Sequence, residues 1–225
     1  MSAIVMIRFA ALALTAALVC GTAGCGEGGN NEPTASAATT TPHASTGDLR
    51  GRTDDELKSL MPAESEFPVP VQTDTGQLNQ NPPPAGCSGD PFSNFGSNFR
   101  TVVSLFGSSD HGKTKDDLIG VGLYRATADS DVVSSVSDYI ARCPQYSYVT
   151  DFGQTITIRF EKIAAPALGG AKSIGYKKYY GTRYDGTFYV AQNRGLVVDA
   201  QYQKDADPAI ADKLFRSILD NIAKA

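Results

Sequence analysis

The chain has 225 residues, and its 20 Lys and Arg against 24 Asp and Glu give a net charge of −4. This mild acidity argues against a nucleic-acid-binding protein, because such proteins normally present a basic face. The length suits one domain of ordinary size in addition to a targeting segment.

Residues 1–24 have the pattern of a bacterial lipoprotein signal peptide. An apolar run over 9–19 follows Arg8, and it is too short to span a bilayer, which needs about 20 apolar residues. Cys25 follows two small residues and opens a polar tract. This pattern is typical of a cleavage site whose first mature residue is a cysteine carrying lipid, such as palmitate. We therefore expect an exported protein that is anchored to the outer face of the cell membrane through Cys25.

Several alternatives to this interpretation remain open. Thr22 stands where the cleavage box usually has leucine, and an ordinary secretory signal cut near Ala23 would leave Cys25 unmodified. Cys20 fits less well as the lipidated residue because the bulky Val19 would precede the cut. A translation start at Met6 would give a more conventional charged beginning.

The domain organisation follows from a change in composition. The segment 26–47 contains no large apolar residue, so it cannot bury a core and is expected to be disordered. We therefore divide the mature chain into a linker over 25–48, which follows the lipidated cysteine, and one domain over 49–225.

Two cysteines are left to pair inside the domain. Cys20 leaves with the signal and Cys25 is the anchor, so Cys87 and Cys143 remain in an oxidising compartment, where a disulfide is the expected state. Two free buried thiols are the alternative. A zinc site is disfavoured because no His or other Cys lies at ligand spacing from either residue.

The first elements predicted in the domain are a short helix, an extended crossing and two strands. Thr53 and Glu56 form a capping box at the start of the helix. The Pro- and Gly-rich stretch over 62–91 is expected to cross the domain in an extended conformation. Segments 99–106 and 118–126 are rich in β-branched and aromatic residues, which predicts strands.

The second half of the domain is predicted to hold two helices and a run of strands. Asp129 is the expected N-cap of a helix that leads to Cys143. Asp207 caps the last helix, with Pro208 at its first position. Between them we predict strands, with a tight turn at 184–186, over 146–152, 156–161, 174–182, 187–192 and 196–203. The expected fold is α+β: an antiparallel sheet of about six strands, with helices packed mainly on one face and one disulfide.

A phosphate-binding motif occurs between the first two predicted strands. Segment 107–114 matches G-x-x-x-x-G-K-[ST], and 196–199 ends in an acid that could hold a metal ion. That chemistry needs a helix beginning at the Lys-Thr pair. Only residues 115–117 follow before the next strand, so we interpret the motif as a polar hairpin loop.

Catalytic groups are scarce in this sequence. The two histidines are His43, in the linker, and His111, in the hairpin loop, and no G-x-S-x-G elbow is present. Acidic pairs at 54–55 and 116–117 suit capping or solvated roles. We therefore predict no catalytic residues, no cofactor and no metal site. A secreted hydrolase is a remote alternative.

Tyrosines crowd one predicted hairpin and suggest a binding surface. Tyrosine offers a flat apolar ring and a hydroxyl group, which suits contacts with an envelope glycan, a lipid or a protein. The alternative is that strands are naturally rich in aromatic residues and that part of these rings belong to the core. A pocket between the hairpin and the strand near Tyr124 would favour binding. The candidate ligand surface comprises Tyr124, Tyr176, Tyr179, Tyr180, Tyr184, Tyr189 and Arg183.

Several short motifs resemble a known family. They are the helix end at 59–62, the turn at 86–89, the helix end at 141–143 and the capped terminal helix. Over 49–225 the chain is similar to the extracellular sensor domain of mycobacterial PknH-type serine/threonine kinases, a domain that also occurs in stand-alone lipoproteins. The resemblance implies an α+β fold with an antiparallel sheet, a groove for an unidentified ligand and no catalysis. The kinase sensor has two disulfides, whereas this domain can form only one, Cys87–Cys143.

Together these observations predict a lipid-anchored, extracytoplasmic ligand-binding or sensor-like domain of the cell envelope. A structural or adhesive envelope protein is the alternative from a different class. A concave apolar pocket with a few polar groups would favour the binder, and a flat exposed aromatic patch would favour the adhesive protein. Titratable groups converging in the pocket would favour an enzyme.

Overall fold

The computed structural model describes residues 47–78, 80, 85–109, 116–166, 168 and 170–225. The signal peptide, Cys25 and the linker up to residue 46 lie outside the described residues. So do His43, His111 and the Lys113-Thr114 pair of the phosphate-binding motif.

One sheet of eight strands forms the frame of the domain, and every neighbouring pair in it is antiparallel. The spatial order is β1-β2-β3-β8-β7-β6-β5-β4. The strands are β1 (Val71–Asp74), β2 (Phe99–Gly107), β3 (Ile119–Ala126), β4 (Gln145–Val149), β5 (Thr155–Ile163), β6 (Lys172–Tyr180), β7 (Arg183–Asn193) and β8 (Leu196–Gln203). The helices are α1 (Asp54–Lys58), α2 (Val132–Arg142) and α3 (Pro208–Lys224), with short 3-10 helices at Glu64–Glu66 and Ser93–Asn98.

The helices lie on both faces of the sheet, so the expectation of helices mainly on one face is wrong. Alternate residues of the central strands enter two different cores: Tyr189 and Ala191 pack with α1 and α3, whereas Val190 packs with α2. The run Leu196–Val198 is fully buried. Such a continuous apolar run indicates a strand covered on both faces.

The sheet has eight strands, more than the expected number of about six. Each of the seven predicted segments corresponds to a strand, and β1 is the strand that the sequence pattern missed. It lies within the predicted extended crossing and pairs with β2, Val71 lying opposite Gly107. Three of its four residues are exposed. A strand of this kind carries no alternation of apolar and polar residues, which is the signal that reveals a strand.

Two local predictions need correction. The N-cap of α2 is Asp131, whose side chain accepts a hydrogen bond from the backbone N–H of Ser134, and not Asp129. The β6–β7 turn lies at Gly181 and Thr182, because Tyr180 pairs with Arg183. The predicted turn residues 184–186 are part of β7.

Other predictions are confirmed. The capping box at Thr53 and the Asp207 cap with Pro208 both form. Cys87 and Cys143 form a disulfide.

None of the helices that the structure describes has the length and apolar character of a membrane-spanning segment.

The interpretation of 107–114 as a hairpin loop is consistent with its surroundings. The segment connects β2 to the antiparallel β3, and Ser108 donates a hydrogen bond to Asp117 Oδ1 at 2.8 Å. The strand pairs that the structure describes are all antiparallel, whereas phosphate-binding loops are built on parallel strands.

Candidate ligand-binding cleft

A cleft of about 370 Å³ opens on the α2 face of the sheet. Its floor comes from β3 and β8, one wall from the β6–β7 hairpin, and the other wall from the segment before β2. The residues that line it are Leu78, Asp90, Phe92, Ser93, Phe106, Tyr124, Tyr176, Lys178, Tyr180, Asp185, Phe188, Tyr189, Val190, Asp199, Gln201 and Gln203. The cleft therefore occupies the place between the hairpin and Tyr124 where a pocket would favour binding.

Two glycines of β3 leave the space for this cleft. Gly120 and Gly122 alternate with the buried Val121 and Leu123, which face the opposite core. A Cβ atom at Gly122 would lie 2.3 Å from both the Tyr124 hydroxyl and Asp199 Oδ1. At Gly120 it would lie 2.7 Å from the ring of Phe106. Any side chain at either position would fill the floor, which explains why glycine is needed there.

A tyrosine–carboxylate pair lies on the floor. The Tyr124 hydroxyl donates a hydrogen bond to Asp199 Oδ1 at 2.8 Å and lies 3.4 Å from Ser104 Oγ. Burial raises the pKa of Asp199 to about 7, although the bond from Tyr124 opposes the shift. Burial and the charge of Asp199 also raise the pKa of Tyr124 well above its usual value. The Asp199 carboxyl therefore holds a proton that it loses near neutral pH.

Asp90 brings a second carboxylate into the cleft. Its Oδ1 accepts hydrogen bonds from the backbone N–H of Phe92 at 2.9 Å, from that of Ser93 at 3.3 Å and from the Tyr176 hydroxyl at 3.1 Å. Its Oδ2 is buried, and no described group donates to it. A buried acceptor without a donor is costly, so Oδ2 marks an unsatisfied acceptor in the cleft wall.

Lys178 is the one cation among the described lining residues. Its ammonium group lies 3.5 Å from Asp185 Oδ2 and 5.1 Å from the ring centroid of Tyr180. Burial alone would lower the pKa of Lys178, but the neighbouring Asp90, Tyr180 and Asp185 raise it above its usual value. Lys178 therefore remains protonated inside a partly buried, acidic and aromatic environment.

Aromatic side chains form much of the rest of the lining. The rings of Tyr176 and Phe188 stack with centroids 5.0 Å apart. Phe92 meets Tyr124 edge to face at 5.3 Å and stacks on Phe99 at 4.8 Å. Packed rings of this kind are rigid, so they give the cleft a largely preformed shape.

The predicted surface residues divide between the two faces of the sheet. Tyr124, Tyr176 and Tyr180 lie on the cleft face, although Tyr124 and Tyr176 are themselves buried. Tyr189 borders the cleft, but its ring packs in the opposite core against Phe215. Tyr179 and Tyr184 make contacts away from the cleft, whereas Arg183 also lies over the Tyr180 ring, 5.6 Å from its centroid. Tyr179 donates to Glu161 at 3.1 Å, Tyr184 lies 2.7 Å from the Thr187 hydroxyl, and Arg183 lies 3.5 Å from Asp116.

Sequence reasoning assigned none of the charged groups of the cleft to the ligand surface: Asp90, Lys178, Asp185 and Asp199. Asp199 was considered only as the acid accompanying the phosphate-binding motif. No short motif joins them, since they come from different strands and one loop. One signal was visible, the Gly-x-Gly pattern inside the apolar strand β3, which indicates close approach of other groups to the backbone. Groups of three or more side chains placed to hold a metal ion are absent from the part of the chain that the structure describes.

A second surface lies at the end of the β4–β5 hairpin. Tyr148, Val149 and Phe152 are exposed there, by 44%, 67% and 88%. We refer to these three side chains as the hairpin tip. Tyr148 and Val149 lie on the edge strand β4, and Phe152 lies in the turn that follows it.

Comparisons with known proteins give a structural likeness but no sequence match. No protein-family model and no curated protein matches the sequence. Among solved structures, the fold is similar to the extracellular domain of PknH from Mycobacterium tuberculosis, with a TM-score of 0.47 and 15% sequence identity. The match covers 77% of this chain and 98% of that chain. What the cleft binds has to be judged from its own geometry.

Proposed function

We propose that the protein is a lipid-anchored, extracytoplasmic ligand-binding or sensor-like domain of the cell envelope. One observation carries this proposal: a preformed concave cleft with aromatic walls and a few fixed polar groups. Its volume of about 370 Å³ falls within the range of small-molecule sites. Tyr180 and Phe188, which are only half-buried, supply apolar surface, and Asp90 and Lys178 supply directional contacts.

Binding accounts for the cleft better than catalysis does. Titratable groups do converge here, as an enzyme would require. However, Asp90 is engaged by two backbone N–H groups and by Tyr176, and Asp199 is engaged by Tyr124. Carboxylates held in this way are fixed in position, which suits recognition of a ligand. We therefore propose no catalytic step.

Two features support the proposed location. The Cys87–Cys143 disulfide is of a kind that persists in oxidising compartments outside the cytoplasm. The sequence around Cys25 has the pattern of a lipid-attachment site. A domain tethered in this way would need a partner protein to carry a signal across the membrane.

A thermal-shift screen of the purified full chain against envelope glycans and lipids tests the binding proposal. A ligand that binds the folded state raises the melting temperature by mass action. We expect Tyr180→Ala, which alters the cleft, to reduce that shift. Tyr179→Ala is the matched control, because this neighbouring ring lies on Arg159 and Glu161, away from the cleft. Equal shifts in both variants and the wild type would place the binding elsewhere.

The hairpin tip favours a second candidate, an adhesive envelope protein. Phe152 is 88% exposed, and exposed apolar groups of this kind often mark contact sites. On this hypothesis Phe152→Ser weakens retention of the protein on isolated cell envelopes, and Tyr180→Ala does not. The opposite pattern would favour the cleft as the functional surface.

A further inference from the structure

We infer that the ligand of the cleft is an organic cation, a protonated amine or quaternary ammonium group attached to an apolar or aromatic body. This inference rests on the proposed binding function and adds the chemical class of the ligand. It is drawn from the charge balance of the cleft, from the state of Asp90 and from the position of Lys178.

The charge balance is the first argument. Of the described residues that line the cleft, Asp90, Asp185 and Asp199 are acidic and only Lys178 is basic. The Lys178 ammonium group lies 3.5 Å from Asp185. Lys178 also senses the charge of Asp90, so a single ammonium group serves several acidic residues, and the acidic excess of the cleft would repel an anionic ligand.

The second argument comes from the hydrogen bonds of Asp90. All three of its donors, two backbone N–H groups and the Tyr176 hydroxyl, bind Oδ1. Oδ2 is buried without a described donor. A cation held in the adjacent cleft would give this oxygen the partner that it lacks, and Coulomb attraction is strong where water is excluded.

The third argument is that the aromatic wall already accommodates an ammonium group. Lys178 Nζ lies 5.1 Å from the ring centroid of Tyr180 and 5.9 Å from that of Phe188. These distances are within the range of cation–π attraction, which is strongest for cations that have lost their water. Phe92 and Phe106 add apolar rings on the far side for the body of the ligand.

A cation in the cleft must also change the protonation of Asp199. The Asp199 carboxyl accepts a hydrogen bond from Tyr124 of β3, whose hydroxyl also lies near Ser104 of β2. Across the cleft, Asp199 interacts electrostatically with Asp90 and Tyr176. A ligand cation favours the ionised carboxylate, so binding releases a proton from Asp199 to the buffer. Affinity for the cation therefore rises with pH through neutrality.

Isothermal titration calorimetry with three probes of nearly the same body tests this inference. The probes are phenethylamine, 2-phenylethanol and 3-phenylpropionate, which are cationic, neutral and anionic. With the full chain at pH 8 we expect binding of the amine only. From pH 6 to pH 8 its affinity should rise about tenfold, as expected for one linked proton with a pKa near 7. Buffers of different ionisation enthalpy should reveal the released proton.

Variants extend the test. Asp199→Asn should weaken amine binding and abolish its pH dependence, whereas Glu161→Gln, on the opposite face beside Tyr179, should behave as the wild type. The wild-type probe series stands on its own if Asp199→Asn does not fold.

The possible failures of this inference are distinguishable. Binding of the alcohol or the propionate as tight as that of the amine, or no amine binding at millimolar concentration, overturns the ligand class. Hits from the envelope screen that depend on Tyr180 would then still support the proposed function. If the screen also gives no hit that depends on Tyr180, both proposals fall.

Discussion

The Tyr124 hydroxyl lies 2.8 Å from Asp199 Oδ1, and this hydrogen bond joins β3 to β8 on the floor of the cleft. The two residues are brought together by the antiparallel register, in which Gly122 lies opposite Asp199. Because Gly122 has no side chain, the Tyr124 ring can reach back over it to the carboxylate. One glycine thus permits both the pair and the open space above it.

The buried carboxyl of Asp199 should make the domain less stable as pH rises. Its folded pKa is about 7 against an ordinary value of 3.8. The folded state therefore holds a proton that the unfolded state has lost between these two values. Stability should fall through that window, by up to about 4 kcal/mol, and level off above pH 7.

Urea unfolding from pH 4 to pH 8 measures this effect. Asp199→Asn cannot ionise, so its unfolding free energy should stay nearly flat across the same window. Some carboxyls have lowered pKa values, such as Asp54 beside Arg100 and Asp131 beside Lys172. Their contribution to the unfolding free energy is lost only at a pH below the window of Asp199. They therefore do not mask the comparison. An equal decline in wild type and variant would contradict the assignment to Asp199.

Replacing Tyr124 by Phe should raise the pKa of Asp199 above 7. The hydrogen bond from Tyr124 lowers that pKa against the effect of burial, and its loss leaves the ionised carboxylate less satisfied. The shift can be followed by NMR titration of the aspartate carboxyl carbons. Tyr179→Phe, on the other face, serves as the control and should leave the titration of Asp199 unchanged.

Gly122→Ala should both destabilise the domain and close the cleft. The new Cβ would lie 2.3 Å from the Tyr124 hydroxyl and Asp199 Oδ1, so this pair must move. Overpacking of this kind costs about 1–3 kcal/mol. At Gly51 an added Cβ meets no atom within 4 Å, so Gly51→Ala is the matched control. Similar melting temperatures for both variants would show that the floor is looser than described.

Loss of the Cys87–Cys143 disulfide should lower stability substantially. The two residues are 56 positions apart, and closing a loop of that length stabilises by up to about 4 kcal/mol in the chain-entropy model. The Cys87→Ser/Cys143→Ser double variant should therefore unfold at lower urea than the oxidised wild type. Reduced wild type should match the variant, and peptide mapping without reductant should recover the linked pair.

Cys25 should carry the lipid. Metabolic labelling with palmitate should mark the wild type, and Cys25→Ser should abolish both the label and partition into the detergent phase. Cys20→Ser should retain both if Cys25 is the attachment site. Labelling that survives Cys25→Ser, or a mature N-terminus at another residue, would contradict the lipoprotein interpretation.

The sequence by itself determined the features that depend on local chemistry. The capping box at Thr53 and the Pro208 helix start were readable because they join residues only a few positions apart. The disulfide was readable by elimination among four cysteines. The bounds of β8, Leu196 and Gln203, could be predicted because the strand begins with an apolar run and continues with alternating apolar and polar residues.

The tertiary structure alone decided the arrangement of the sheet and of the cleft. The alternation of apolar and polar residues does not distinguish the two faces of a strand that is buried on both sides. The placement of α2 and α3 on opposite faces of the sheet was therefore not predicted. The same alternation is missing from β1, whose extended structure depends on pairing with β2. Asp90, Lys178 and Asp199 meet only because long-range strand pairing brings them together. Their proximity, and the shifted pKa of Asp199, are properties of the folded chain that no local segment encodes.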